Sequence, residues 1–264
     1  MTVADRKAWR VWLRSVHTPR EVALRRRVGA ALRQTKAEML DALDAMPGVK
    51  AWFGSRRDLL GDVLHALFGV DSGAILSDES RAALRKALDS GFNSGAQSIG
   101  RPDLEWVKAR LDAATEKQLG QMVSRVDAAT RNRIGDIVRE VLDGGGTIAD
   151  LQARIQIDEA FSPVRSLRIA RTETTRATNA GSSAAWQDVA DNEGLVVRRR
   201  WLAELDGATR EAHRLLSGQE RGIREDFEVP SGDYAGARGR GPGEFADPGM
   251  VVNCRCTTVP LVSE

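Results

Sequence analysis

Between Leu104 and Leu142 apolar residues recur every three or four positions, without a single proline. That interval is the repeat of one helical face, and a run of this length admits little but a long amphipathic helix. The same pattern fills most of the first 160 residues. From Asp5 to Met46, Trp9, Trp12, Leu13, Val16, Val22, Leu24, Val28, Leu32, Met39, Leu40 and Leu43 mark a helical face, with a break expected at His17-Thr18-Pro19. The segment 46–58 reads as a turn-rich break, and Leu59–Phe68 as another helix. A further helix is expected after Ser77-Asp78, where the side chains suit an N-cap. Gly144-Gly145-Gly146 stops the long helix and Thr147 restarts it, with Asp150 placed to complete a capping box. No GxxxxGK[ST] follows the glycines, so they do not form a phosphate loop.

The pattern changes after residue 160. Ser162-Pro163 opens a helix through residue 191, Ser as N-cap and Pro at the first helical position. "LVVRRRWLAEL" then has strand composition, "DGATREAHRLLSG" reads as a short helix and "MVVNCRCTTVPLV" returns to strand. Residues 230–249 carry six glycines and three prolines and are expected to be a long mobile loop. The fold class that follows is α+β: a helical region over 1–160, then a small domain over 161–264 in which strands near 195–203 and 250–259 pair antiparallel beside the 163–191 helix.

Net charge is only +2, so nothing global demands a polyanion. The excess is local: residues 1–47 hold ten Lys/Arg against five Asp/Glu, which suits a solvated helix face or an arm that touches DNA. The first twenty residues lack the apolar core of a signal peptide, and no uncharged run is long enough to suggest a membrane span. Without an export signal, two cysteines point to a reducing compartment, where close pairs serve packing or metal more often than disulfides.

Those cysteines, Cys254 and Cys256, are the only two in the chain. On an extended strand they would present both sulfurs to one face, at a separation poorly suited to a disulfide. Two readings follow. Either they pack as small apolar groups, or they form half of a metal site completed by Asp206 and His213, which would share a helix face at a seven-residue spacing. Asp/His/Cys/Cys is an acceptable set for closed, structural zinc. Farther upstream, "RIARTETTRATN" (168–179) offers Glu173 as an acid–base candidate or as the partner of Arg176 in an ion-pair network. The basic run Arg198–Arg200 would mark a sheet edge, either as an electropositive docking face or as charge that deters strand pairing.

The combination "RIARTETTRATNAGSSAAW", "RRRWLAELDGATREAHRLLSG", a Gly/Pro-rich loop and "DPGMVVNCRC" resembles the phage Mu F-like minor head proteins, the phage head morphogenesis family. The resemblance covers about residues 160–260. Its motif positions here are Arg171, Thr172, Glu173, Trp201, Asp206, Arg210, His213, Gly218 and Asn253 to Cys256. It implies a non-enzymatic minor capsid protein inside the virion, assembled in the host cytoplasm. The expected partners are the portal protein, a scaffold or major capsid protein, and packaged DNA through the basic N-terminal arm. The helical 1–160 region would face the portal or scaffold. A metal-dependent enzyme or toxin-like effector built on His213, Cys254 and Cys256 is the alternative, and a sequence-independent DNA-binding head protein is another.

Overall fold

The computed structural model describes residues 2–46, 56–204 and 206–263. Most of the turn-rich break expected at 46–58 lies outside the described residues. The chain is α+β, with long helices first and a small antiparallel sheet near the C-terminus. Its helices are α1 (Val3–Trp12), α2 (Thr18–Asp44), α3 (Arg56–Phe68), α4 (Ser72–Ser98), α5 (Lys108–Asp143), α6 (Ile148–Ile157), α7 (Pro163–Asn192), α8 (Glu211–Leu216) and α9 (Pro248–Val251). The strands are β1 (Val196–Leu202), β2 (Glu220–Gly222), β3 (Phe227–Glu228), β4 (Arg238–Gly239) and β5 (Thr257–Ser263).

These elements build two compact units that interleave along the chain. One comprises Met1–Arg25, Arg81–Gln118 and Arg168–Glu264; the other comprises Arg26–Ser80 and Leu119–Leu167. The second unit is helical, and Val28, Leu32, Met39, Val63, Leu67, Met122, Ile134, Val138, Leu151 and Ile155 are buried there. Arg133 reaches Asp158 at 2.8 Å, and Arg165 donates to the Thr130 hydroxyl at 2.9 Å and to the Ala160 carbonyl. The capping box at Thr147 and Asp150 forms as expected, and so does the Ser162 N-cap, which accepts from the Arg165 amide at 3.1 Å.

In the first unit, β1 is the middle strand of a sheet ordered β2-β1-β5, antiparallel on both sides. Arg198–Arg200 therefore do not lie at an edge. Arg199 is buried and Arg200 is held by Glu220 and Asp5 at 2.7 and 3.2 Å. Helix α7 packs closely on α4. A Cβ on Gly91 would meet the Thr178 backbone at 2.2 Å, and one on Gly181 would meet the Leu88 carbonyl at 2.1 Å, so only glycine permits this approach. Ser182 and the Trp186 indole then bond to the carbonyls of Gly91 and Gly95.

Several expectations need correction. The break expected at His17-Thr18-Pro19 is a single wide turn, Leu13–His17 in π-helical form, that leads directly into α2. Pro19, which has no N–H to donate, follows that wide turn directly, as the second residue of α2. Helix α4 starts at Ser72, five residues before Ser77. Residues 230–249 hold little regular structure beyond β4 but are packed: Phe245 is buried, and the Arg176 guanidinium donates to the Gly243 carbonyl at 2.7 Å. An 18-residue window within Leu59–Ser98 is apolar enough on average for a membrane span, although Asp62, Asp71 and Asp78 interrupt the stretch, as expected of a chain with no long uncharged run. It is divided between α3 and α4, and Val63, Leu67, Leu76, Leu84, Leu88 and Phe92 are buried inside the protein.

Candidate functional site

The second cysteine-bearing strand begins later than its composition suggests. Asp247 caps α9 by accepting from the Gly249 amide at 2.6 Å, and Pro248 occupies the first helical position. The chain leaves α9 through Asn253 at φ 62°, a left-handed conformation that asparagine tolerates better than most residues. Strand β5 starts only at Thr257. Cys254 and Cys256 thus lie in the short segment between the Val252–Asn253 turn and the strand, and not within the strand itself.

Side chains from distant elements hold that segment by its backbone. Thr175 donates to the Cys254 carbonyl at 2.6 Å, Asn179 to the Cys256 carbonyl at 3.2 Å and the Trp9 indole to the Arg255 carbonyl at 3.0 Å. Thr172 accepts from the Asn253 amide at 2.9 Å, and Arg171 donates to the Asn253 side chain at 2.9 Å. Thr172, Thr175 and Asn179 form one stripe of α7 at helical spacing, which is why a polar face of this helix is buried. Sequence reasoning missed Trp9, Thr175 and Asn179. The i, i+3, i+7 repeat of Thr172, Thr175 and Asn179 was the available signal.

Both sulfurs point at His213, on α8. Its Nδ1 lies 3.3 Å from Cys256 Sγ and 3.6 Å from Cys254 Sγ, and all three residues are buried. His213 Nε2 is 3.0 Å from the Met250 carbonyl, which can only accept, so Nε2 carries the ring proton and Nδ1 offers a lone pair. The Cys256 amide donates to Cys254 Sγ at 3.3 Å. A hydrogen bond from the Cys256 thiol holds the Cys254 thiol well below its ordinary range against the cost of burial. Burial, with the neighbouring Cys254, pushes the Cys256 thiol well above it. Trp201 meets His213 edge-on at 6.1 Å, and with Phe227 and Phe245 it forms the aromatic core beside the pair.

Asp206 is elsewhere. Helix α8 begins at Glu211, so the seven-residue interval between Asp206 and His213 is not two helical turns. Asp206 caps the preceding turn through the Ala208 amide (3.0 Å) and Thr209 hydroxyl (2.9 Å), and pairs with Arg255 at 2.8 Å. Burial opposes its ionisation, but those hydrogen bonds outweigh it and hold the carboxyl below the ordinary range. Arg210 donates to the Val252 carbonyl at 2.5 Å. A pocket of about 90 Å³ is bounded by Glu204, Arg210, Asn253, His213, Cys254 and Cys256.

Glu173 forms a buried pair with Arg176, whose Nη1 donates toward both carboxylate oxygens at 2.7 and 2.9 Å, within the network that ties α7 to the 230–249 segment. Arg199 is a second buried cation. It donates to the carbonyls of Arg240, Gly222 and Glu225 and lies over the Phe227 ring at 5.3 Å, and burial lowers its pKa to about 10.

Residues 132–259, from within α5 to within β5, match the family described as Phage Mu protein F like protein. That match lies in the C-terminal region and covers just under half of this chain. Among curated proteins, 118 residues are 32% identical to the NAD(+)--arginine ADP-ribosyltransferase EFV of Enterococcus faecalis (strain ATCC 700802 / V583), covering 45% of this chain and 23% of that protein. The chain therefore spans about a quarter of the length of that curated relative. No solved structure matches. The Mu F-like match takes in the α7 motif, Trp201, the His213 helix and both cysteines, so the residues that meet at the turn lie inside the matched region, with Trp9 the exception.

Proposed function

We propose that this protein is a minor head protein of a tailed phage or phage-like particle. In this reading it binds the portal within the head and supports head assembly or DNA delivery, and it is not an enzyme. The observation that carries the reading is the Mu F-like match over 132–259. The geometry supports it: the motif residues Arg171, Thr172, Glu173, Asp206, Arg210 and Asn253 are spent on caps, ion pairs and backbone carbonyls. Arg171, Thr172, Arg210 and Asn253 fix the cysteine turn, and Glu173 with Arg176 ties α7 to the 230–249 segment.

The helical N-terminal region is the surface we assign to the portal or scaffold. Its α1 face carries Arg6, Lys7, Arg10 and Arg14 around a shallow groove, which suits an acidic protein ring or DNA phosphates. Co-expression with the cognate portal, followed by pull-down and electron microscopy of heads, tests the reading. Co-purification and the presence of this chain in heads are expected; its absence from both overturns the proposal. Binding to DNA through α1 would weaken steeply as salt rises, because phosphate contacts release counterions.

The second reading, an effector enzyme, rests on the name of the E. faecalis relative. The shared segment is 23% of that protein, which leaves most of its length outside the likeness. Incubating this chain with NAD⁺ and an arginine-containing acceptor separates the two. No ADP-ribose transfer is expected, and transfer would establish the enzymatic reading.

A further inference from the structure

We propose that His213, Cys254 and Cys256 form a zinc centre with three protein ligands, whose fourth position faces the pocket bounded by Glu204, Arg210 and Asn253. This goes beyond the head-protein reading and does not depend on it.

Distance is the first argument. Zinc–sulfur and zinc–imidazole bonds of about 2.3 and 2.05 Å at a tetrahedral angle place the two donor atoms about 3.6 Å apart. The observed separations from His213 Nδ1 are 3.6 Å for Cys254 Sγ and 3.3 Å for Cys256 Sγ, and all three donor atoms lie within 4.8 Å of one another.

Orientation is the second. A metal-binding imidazole commonly donates its other N–H to a carbonyl or carboxylate, which fixes the tautomer. His213 does this toward the Met250 carbonyl at 3.0 Å, leaving Nδ1 unprotonated on the side of the sulfurs.

The sulfurs have donors of their own. The Cys256 amide points at Cys254 Sγ. The Trp201 indole N–H beside the pair is buried and has no hydrogen-bond partner. N–H groups aimed at sulfur stabilise thiolate, the form that binds metal. The turn is also preorganised, because Trp9, Thr172, Thr175 and Asn179 hold its backbone. Two soft thiolates and an imidazole select zinc over magnesium or calcium, which prefer oxygen. On binding, zinc forms two Zn–S bonds and one Zn–N bond, and the two thiol protons pass to solvent.

The fourth ligand does not come from Asp206, which is committed to Arg255, Ala208 and Thr209. The pocket that the three ligands line has room, at about 90 Å³, for about three waters at the volume of liquid water. A water or a small anion completes the tetrahedron there.

The test uses the full chain, purified under reducing conditions without added metal or a metal-affinity step. Elemental analysis is expected to find one zinc per chain. Replacement by cobalt(II) is expected to give the visible bands of a tetrahedral site together with thiolate-to-metal charge transfer, and added thiocyanate is expected to shift the visible bands. Cys256→Ser and His213→Gln should reduce zinc occupancy at least tenfold, whereas Asp206→Asn should retain it. If the ligand variants do not fold, the wild-type zinc content and cobalt spectrum still decide. A folded wild-type chain with no zinc and no cobalt bands overturns the centre, as does a Cys254–Cys256 disulfide under those conditions. Cobalt bands unmoved by thiocyanate overturn the open fourth position.

Discussion

Two buried polar assemblies stand beside the Trp201 aromatic cluster, and they solve opposite problems. Around Arg199 the chain supplies a cation and surrounds it with acceptors, the carbonyls of Gly222, Glu225 and Arg240. Around His213 the chain gathers two sulfurs and an imidazole nitrogen aimed at one another, with the Cys256 amide on one sulfur. In the first assembly carbonyls of the chain itself satisfy both Nη atoms of Arg199, while its buried Nε has no partner, and the contacts staple the ends of loops to β1. The second gathers lone pairs, which repel unless protons or a metal lie between them. Polar density therefore does not by itself mark a site; the direction of the donor atoms does.

The sharpest way to break this comparison is chelation. A strong chelator should lower the melting temperature of the wild type by the equivalent of about 5 kcal/mol or more, since metal-binding free energy is folding free energy. Arg199→Met should be less stable from the outset but should respond to chelator as the wild type does. Cys256→Ser should not respond at all. Equal chelator responses in all three would erase the distinction between the two assemblies.

Next in size is the Glu173–Arg176 pair, which is self-contained like the Arg199 assembly but joins two side chains. Glu173→Gln leaves a buried guanidinium without its carboxylate and should cost about 3–5 kcal/mol in urea unfolding, with zinc content unchanged. Zinc lost together with stability would show that the two networks are one.

Acid is the third lever. His17 is fully buried, and desolvation, with Arg171 and Arg255 nearby, lowers its pKa to about 4 from an ordinary 6.5. Thr175 spends its hydroxyl proton on the Cys254 carbonyl, so His17 Nε2 donates to Thr175 at 3.0 Å, while Nδ1 faces Glu21 at 3.7 Å. Above pH 6.5 the ring is neutral in both folded and unfolded chains, and the stability is fully present. As pH falls from about 6.5 to about 4 the unfolded chain takes up a proton that the folded one refuses, so stability drops, by about 3 kcal/mol in all. Thermal melts of the chelated protein across this range should show the loss, and His17→Gln should flatten it. An unchanged slope in that variant would assign the acid sensitivity to other groups.

The smallest effect is a control in the helical unit. Ser162→Ala removes the N-cap of α7 and should cost about 1 kcal/mol without changing zinc content or chelator response. A larger loss would mean that the entry to α7 also sets the stripe that grips the cysteine turn.

Much of the fold was legible because helices announce themselves locally. Apolar spacing located α2, α3, α5 and α7, and cap chemistry placed the starts of α6 and α7. The antiparallel pairing of β1 with β5 also followed from composition. The α4 start was misplaced because Ser72 and Ser77 are both acceptable caps, and only the surrounding packing chooses between them. The site was half legible. His213, Cys254 and Cys256 meet as the sequence suggested, but with the cysteines before the strand and not within it, and Asp206 stands apart from them. Val251 and Val252 carry strand propensity, yet burying Met250 and Val251 against the Trp201 core favours a helical turn there.

The sequence alone determined the helical first part, the α7 helix, the strand pair and the likeness to Mu F-like proteins, because each is written in spacing or in short motifs. Tertiary structure decided which acceptors converge. It set the middle position of β1, the burial of Arg199 and the turn at Asn253, and it aimed His213 through the Met250 carbonyl. Those outcomes depend on hydrogen bonds between residues as far apart as Trp9 and Arg255, and no local pattern encodes a bond across 246 positions.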